Sequence, residues 1–342
     1  MTTRRRRVWL AVAVVVAASL AGCGEIKNTL KPAPGAFRSL NVMLDWSPNA
    51  DHVGIYQAQA EGDFRRAALA VHIEYDTADP SAPLRLLESG QVQIAVTYEP
   101  ELLLARNAGV PLVSVGALIQ RPLTSIVSLG SAKITSAVDL RGKTVGVAGI
   151  PYQTAFLRTI LHHSGVPQSS VKTVNVGEGL VPAMVAHRVD ATLGAYWNYE
   201  AIQLTQLGKH PNVIHVERAG VPTYDELVFA VMESEIVNHP DLIRAFVQAV
   251  ARGYQSARAN PRAAVANLLS ANPAAGLDRR LQLASVRATM PYWFPRGGRP
   301  WGWQSPPQWN AFGQWMLNNR LIFDPNPITD ASTNELLAGQ GI

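Results

Sequence analysis

Short apolar runs alternate with amphipathic stretches from residue 40 onward. Leu40–Leu44, Leu69–Tyr75, Val92–Val96 and Pro111–Leu118 read as strands, because each is short, apolar and bounded by turn residues. Between them, Gly54–Glu61, Pro83–Ser89 and Pro100–Asn107 carry helical spacing, and Gly62 and Gly90 stop the first two. The pattern restarts after Gly130. Thr144–Ala148, Val171–Val176 and Ala191–Ala195 are strands here, with helices over Gln153–His163, Leu180–Ala186 and Tyr199–Leu207. Leu227–Met232 is a further apolar strand. Beyond it the spacing predicts only helices, over Pro240–Ala257, Pro261–Leu269, Asp278–Thr289 and Pro306–Asn318. Strands that alternate with helices give an α/β fold with a largely parallel sheet in each unit.

The helical tail must bury its apolar face on something, and the first unit lacks enough helices to cover its own sheet. This predicts two discontinuous α/β lobes, residues 39–125 plus 226–342 and residues 126–225. Two crossings, near Leu123–Val127 and Glu226–Val228, would form the hinge.

The first residues carry a different message. Arg4 to Arg7 precede an apolar run, Val8 to Leu20, of thirteen residues, too short to span a bilayer comfortably. Residues 1–22 therefore read as a signal peptide. Leu20-Ala21-Gly22-Cys23 resembles a bacterial lipobox, which implies cleavage before Cys23 and lipid on that residue. The alternative is an ordinary signal peptide with a chance cysteine. Arg6-Arg7-Val8-Trp9-Leu10 also fits a twin-arginine export signal loosely. Residues 23–38 read as a flexible tether. The mature protein is then expected at the extracytoplasmic face of the cell membrane, held there by lipid.

Charge narrows the partners. The formal net charge of the 342-residue chain is +5, but Arg4 to Arg7 supply +4 of it. From Cys23 onward the balance is 26 basic to 25 acidic residues, which argues against nucleic acid as a partner. One cysteine allows no intrachain disulfide and no cysteine-based zinc or iron–sulfur site. The adjacent His162 and His163 point apart on a helix and make a poor metal pair. Gly177-Glu178-Gly179 is too short for a phosphate cradle, and neither Gly-x-Ser-x-Gly nor a Walker A sequence is present. No cofactor or metal is expected.

In open α/β sheets, ligands bind outside the carboxyl ends of the strands. The segments at those ends supply Asp45, Trp46, Asn49 and His52, then Tyr98 and Glu99, then Tyr152, then Trp197, Tyr199 and Glu200. Tyr224 and Asp225 precede the return strand. Aromatic faces, carboxylates and amides together suit a flat, polar, heteroaromatic ligand: rings stack, and carboxylates accept from ring amino groups. Structural readings compete. Trp46 could plug a strand–helix gap, His52 could cap a helix, and Glu99 and Glu200 could be helix N-terminal charges. Trp197 and Tyr199 point to opposite faces if extended, so one of them could be structural. Trp309, Phe312 and Trp315 recur every three positions on one helix and read as packing, whereas Trp301 could edge the cleft.

Asp45-Trp46-Ser47-Pro48-Asn49, His52-Val53-Gly54-Ile55-Tyr56 and Glu61-Gly62-Asp63-Phe64 resemble the opening of the thiamine-pyrimidine synthase-like family of solute-binding proteins. Ser89-Gly90-Gln91-Val92, Thr97-Tyr98-Glu99, Asp139-Leu140-Arg141-Gly142-Lys143, Trp197-Asn198-Tyr199-Glu200 and Gly220-Val221-Pro222-Thr223-Tyr224-Asp225-Glu226-Leu227-Val228 continue the resemblance, which spans about residues 40–320. It implies a two-lobed, type II periplasmic-binding-protein fold. It also implies capture of a thiamine-precursor aminopyrimidine for an ABC permease and its ATPase, with the protein acting as a monomer. The same superfamily holds a pyrimidine synthase whose motif places a lysine after the third strand and a histidine four residues later. Here those positions are Thr97 and Glu101. The synthase's cysteine-rich segment is also missing, and these departures stand against a pyrimidine synthase-like enzyme, the rival reading. A binding protein for an alkyl sulfonate or nitrate-like anion is the other.

Cys23→Ser should yield an unlipidated protein that leaves the membrane fraction. Retention of the variant in washed membranes would refute the lipobox reading.

Overall fold

The computed structural model describes residues 37–340, apart from 78, 80, 178 and 296. The signal peptide, Cys23 and all but the last two residues of the tether lie outside the described residues. The first lobe opens with β1 (Arg38–Met43), α1 (Val53–Glu61), α2 (Asp63–Arg66), β2 (Leu69–Glu74), α3 (Ala82–Glu88), β3 (Ile94–Thr97), α4 (Glu99–Asn107) and β4 (Leu112–Ile119). The chain crosses at residues 120–123. The second lobe holds β5 (Thr124–Ser128), β6 (Thr144–Val147), α5 (Pro151–His163), β7 (Lys172–Asn175), α6 (Leu180–Val185), β8 (Ala191–Tyr196), α7 (Glu200–Gln206) and β9 (Asn212–His215). The chain returns through residues 219–226 to β10 (Leu227–Met232). It ends in α8 (Glu233–Asn238), α9 (Pro240–Ala259), α10 (Pro261–Ala271), α11 (Arg279–Thr289) and α12 (Pro306–Asn318).

Among the described residues the strands form two five-stranded sheets, ordered β2-β1-β3-β10-β4 and β7-β6-β8-β5-β9. Neither is purely parallel. β10 runs antiparallel to both β3 and β4, and β5 runs antiparallel to both β8 and β9. The strand that follows each crossing is thus inserted, reversed, beside the inner strand of its sheet. Residues 124–127, expected as part of the hinge, belong to β5. The hinge itself is the shorter segment before it, together with the segment before β10.

A buried carboxylate ties the two crossings together. Glu226 lies on the return crossing and is 0% exposed. It accepts from the backbone N–H groups of Leu123 (2.6 Å) and Thr124 (2.8 Å) on the outgoing crossing. It also accepts from the Thr124 hydroxyl (3.0 Å) and from its own neighbour's hydroxyl, Tyr224 Oη (3.0 Å).

In the first lobe, α1 and α9 cover the sheet. Helix α9 is strongly amphipathic, and Leu242, Phe246, Val247, Val250 and Tyr254 recur on its buried face. The two helices touch through glycines. A Cβ on Gly253 would stand 2.0 Å from the Gly54 carbonyl oxygen, and one on Gly54 would stand 2.1 Å from the Tyr254 ring. This close approach lets the Tyr254 hydroxyl donate to the Asp51 carbonyl, just ahead of α1. Tyr254 also stacks on Trp301, with centroids 4.8 Å apart and planes 23° apart. Trp301 is therefore a core residue and does not edge the cleft.

Helix α12 bridges the lobes. Phe312 and Trp315 pack on Phe156 of α5, and the Trp315 indole donates to Thr159 at 3.2 Å. Tyr224 is enclosed between Phe156 and Phe312. The spacing of Trp309, Phe312 and Trp315 is the packing stripe expected from the sequence.

Gly253→Ala should destabilise the fold by about 2–3 kcal/mol or more, because the added methyl meets backbone that cannot move aside as a side chain would. Urea unfolding measures the change. A loss well below 1 kcal/mol would show that the α1–α9 crossing is looser than described.

Candidate functional site

A cavity of about 320 Å³ lies between the lobes, near the lower end of the roughly 300–1,000 Å³ usual for small-molecule sites. The segments at the carboxyl ends of β1, β3, β6 and β8 build its walls. The β1 loop brings Asp45, Trp46, Asn49 and Asp51, and the start of α4 brings Tyr98 and Glu101. From the other lobe, the start of α5 brings Tyr152 and Gln153, the end of β8 brings Tyr196, and the start of α7 brings Tyr199 and Glu200. Thr124 and Leu227, the first residues of β5 and β10, reach it from the hinge.

The β1 loop is pre-shaped by its own polar groups. Asn49 Oδ1 accepts from the Asp51 N–H at 2.8 Å, and the Asn49 N–H donates to His52 Nδ1 at 3.3 Å. His52 Nδ1 therefore carries no proton. Its Nε2–H donates to Asp45 Oδ1 at 2.7 Å. The second Asp45 oxygen accepts from the Tyr98 hydroxyl at 2.9 Å. With its proton engaged, the Tyr98 oxygen is left as an acceptor at the cavity wall. Glu101 accepts one long hydrogen bond from the Thr97 hydroxyl (3.3 Å), and its other oxygen has no protein partner among the described residues. The hydroxyls of Tyr152 and Tyr196 likewise have none. Burial holds these phenols, with Tyr98, well above their ordinary pKa, so they stay protonated.

The cavity wall is acidic. Its lining includes Asp45, Asp51, Asp76, Glu101 and Glu200, and no lysine, arginine or histidine among the described residues. Burial pushes Glu101 up to about 7 against the opposing hydrogen bond from Thr97, with the charges of Asp45 and Glu226 adding to the rise. Burial likewise pushes Asp51 up to about 6, against the opposing hydrogen bond from the Asn198 amide.

Seven of the expected ligand residues lie on the cavity wall: Asp45, Trp46, Asn49, Tyr98, Tyr152, Tyr199 and Glu200. Five do not. His52 stands behind Asp45 and orients it. Glu99 is fully buried and accepts from the Asp225 N–H at 2.7 Å. Asp225 in turn holds α12, accepting from the Trp309 indole (2.8 Å) and from Gln308 (3.1 Å). Tyr224 is in the aromatic core beside the hinge. Trp197 donates to the Pro122 carbonyl at 3.0 Å and meets the Tyr292 ring edge-on, so of the Trp197–Tyr199 pair the tyrosine alone lines the cavity. Glu101, Tyr196, Asp51 and Gln153 were missed. Glu101 carried a signal, because it occupies the position of the synthase motif's histidine.

The buried acids set a pH dependence. Asp225 and Glu226 are pushed to about 7 by burial, which outweighs the hydrogen bonds they accept; Glu99 is also raised, by burial and by the charge of Asp225. With Asp51 and Glu101, these groups keep protons in the folded state that the unfolded chain has already released. Their contribution to stability is complete below about pH 4 and is lost as pH rises to about 7. The melting temperature should therefore fall between about pH 4.5 and pH 7, and Glu226→Gln should flatten the fall. A melting temperature that rises over that interval would contradict these assignments.

Comparison with known proteins agrees with this architecture. The alkanesulfonate-binding protein of Xanthomonas axonopodis pv. citri superposes with a TM-score of 0.64 at 16% identity, over 87% of this chain and 99% of that one. The fold is thus the two-lobed type II periplasmic-binding-protein fold. The formylaminopyrimidine-binding protein of Halalkalibacterium halodurans is 32% identical over 86% of this chain and 90% of its own. The 4-amino-5-hydroxymethyl-2-methylpyrimidine phosphate synthase of Legionella pneumophila is 26% identical over 87% and 92%. The profile described as NMT1/THI5 like matches residues 49–264, and with these relatives it places the chain in the NMT1/THI5 like family.

Proposed function

We propose that this protein is the extracytoplasmic, lipid-anchored binding component of an ABC importer. It captures a thiamine-precursor aminopyrimidine, of the formylaminopyrimidine class bound by the Halalkalibacterium relative, and delivers it as a monomer to a permease and its ATPase. The acidic, aromatic cavity wall, without a lysine, arginine or histidine among the described residues, carries this reading. An amino-substituted pyrimidine is flat and presents N–H donors. Trp46 and the tyrosines offer faces for stacking, and Glu101 and Glu200 offer acceptors. A sulfonate or nitrate would bring a negative charge among five carboxylates, and the lining offers no lysine, arginine or histidine among the described residues to receive it. The hinge lets the lobes close around the ligand.

The Legionella relative keeps the enzymatic reading in view. Two features support capture over synthesis. Thr97 and Glu101 stand where the synthase motif has lysine and histidine, and Glu101 faces the cavity as an acid. Neither can form an imine with an aldehyde cofactor.

Calorimetry with a formylaminopyrimidine, 4-amino-5-hydroxymethyl-2-methylpyrimidine and an alkanesulfonate tests the reading. Trp46→Ala should cost about 1–3 kcal/mol of pyrimidine affinity through lost stacking and burial. Glu101→Gln and Glu200→Gln should each cost about 1–2 kcal/mol where they accept from an amino group. Wild-type protein that binds the sulfonate and ignores both pyrimidines would overturn the assignment.

A further inference from the structure

One buried polar pair, the cavity-wall residue Asp51 and Asn198, runs from lobe to lobe. Asp51 belongs to the helical turn Ala50–His52 that leads into α1, in the first lobe. Asn198 belongs to the turn between β8 and α7, in the second. Asn198 is 0% exposed, and its amide nitrogen donates to both Asp51 carboxylate oxygens, at 2.8 and 3.1 Å. The same nitrogen lies 3.4 Å from Ser285 Oγ on α11. The next residue, Tyr199, accepts from Gln282 on α11 at 3.0 Å.

Three facts make this contact more than packing. Among the described residues, Asn198 supplies the only side-chain donor to the Asp51 carboxylate, and it comes from the opposite lobe. The receiving side is rigid, because the Tyr254 hydroxyl holds the Asp51 carbonyl and the Asn49 side chain holds its N–H. The donating side immediately precedes Tyr199 and Glu200, which line the cavity, while Asn198 itself does not. We infer that Asp51 and Asn198 form a latch that holds the two lobes closed and places Tyr199 and Glu200 against the bound ligand. Asn198 is then a positioning residue. The population of the closed form depends on a bond made only when the lobes meet, so the latch biases that equilibrium directly. The inference rests on the two-lobed architecture and not on the identity of the ligand.

The test is an interlobe distance. Spin labels at exposed Leu207 and Val237, in protein carrying Cys23→Ser, report lobe separation without any ligand. The wild-type background should give a predominant short distance at neutral pH. Asn198→Asp sets carboxylate against carboxylate and should shift the distribution to longer, broader distances. The double variant Asp51→Asn/Asn198→Asp restores the pair with the donor on the other lobe and should recover the short distance. Should Asn198→Asp lose helix content, Asn198→Ala removes the donor without adding charge and carries the same comparison. In stopped-flow, bound formylaminopyrimidine should leave Asn198→Asp about tenfold faster or more. Three results would overturn the latch: a background without the short distance, an Asn198→Asp distribution identical to it, or a double variant no more closed than the single.

Discussion

Two short crossings carry the chain between the lobes, and a single buried carboxylate, Glu226, joins them. It lies on one crossing and accepts from the backbone of the other, so the outgoing and returning segments cannot shift independently. The consequence reaches the cavity within one residue. Thr124, which Glu226 holds by both backbone and hydroxyl, lines the site, and so does Leu227, the residue after Glu226. The hinge and the floor of the site are therefore one construction. Its cost is a carboxylate taken out of water, offset by four donated hydrogen bonds.

Acidic residues around this node fall into two layers with different roles. Glu99, Asp225 and Glu226 face away from the cavity and tie the hinge, α4 and α12 into one frame. Asp45, Glu101 and Glu200 face the cavity. Asp45 is locked between His52 and Tyr98, whereas Glu101 holds an oxygen with no protein partner among the described residues. A surface locked at one point and unsatisfied at another is suited to a ligand with its own donors, since an acceptor left over in the empty site becomes an energetic gain on binding. The aromatic residues divide in the same way. Trp46, Tyr98, Tyr152, Tyr196 and Tyr199 present themselves to the site, and Tyr224, Phe312, Trp315 and Trp301 fill the frame behind it.

Hydrophobic periodicity and glycine punctuation sufficed to give the α/β character, most of the strands and the terminal helices, because each signal lies within one element. The rule that ligands sit beyond the carboxyl ends of strands found the β1, β3, β6 and β8 segments, and seven of the twelve candidate residues reach the cavity wall. Local pattern could not identify β5 or β9. Thr124–Ser128 follows a crossing and takes its direction from β8 and β9, and Asn212–His215 is a half-buried edge strand with no clear alternation. Which of two nearby acids faces the ligand was also beyond it. Glu99 and Glu101 sit two positions apart in one helical turn, so their side chains diverge, and the Asp225 backbone opposite Glu99 decides that Glu101 takes the cavity. The same holds at Trp197 and Tyr199, where a turn's phase and the wall of α11 sort one ring to structure and the other to the site. Residue type and position along the chain determined what chemistry was available; the direction groups such as Glu99, Trp197 and Tyr199 point was set by partners 75 to 126 residues away in sequence, brought alongside only when the chain had folded into its two lobes.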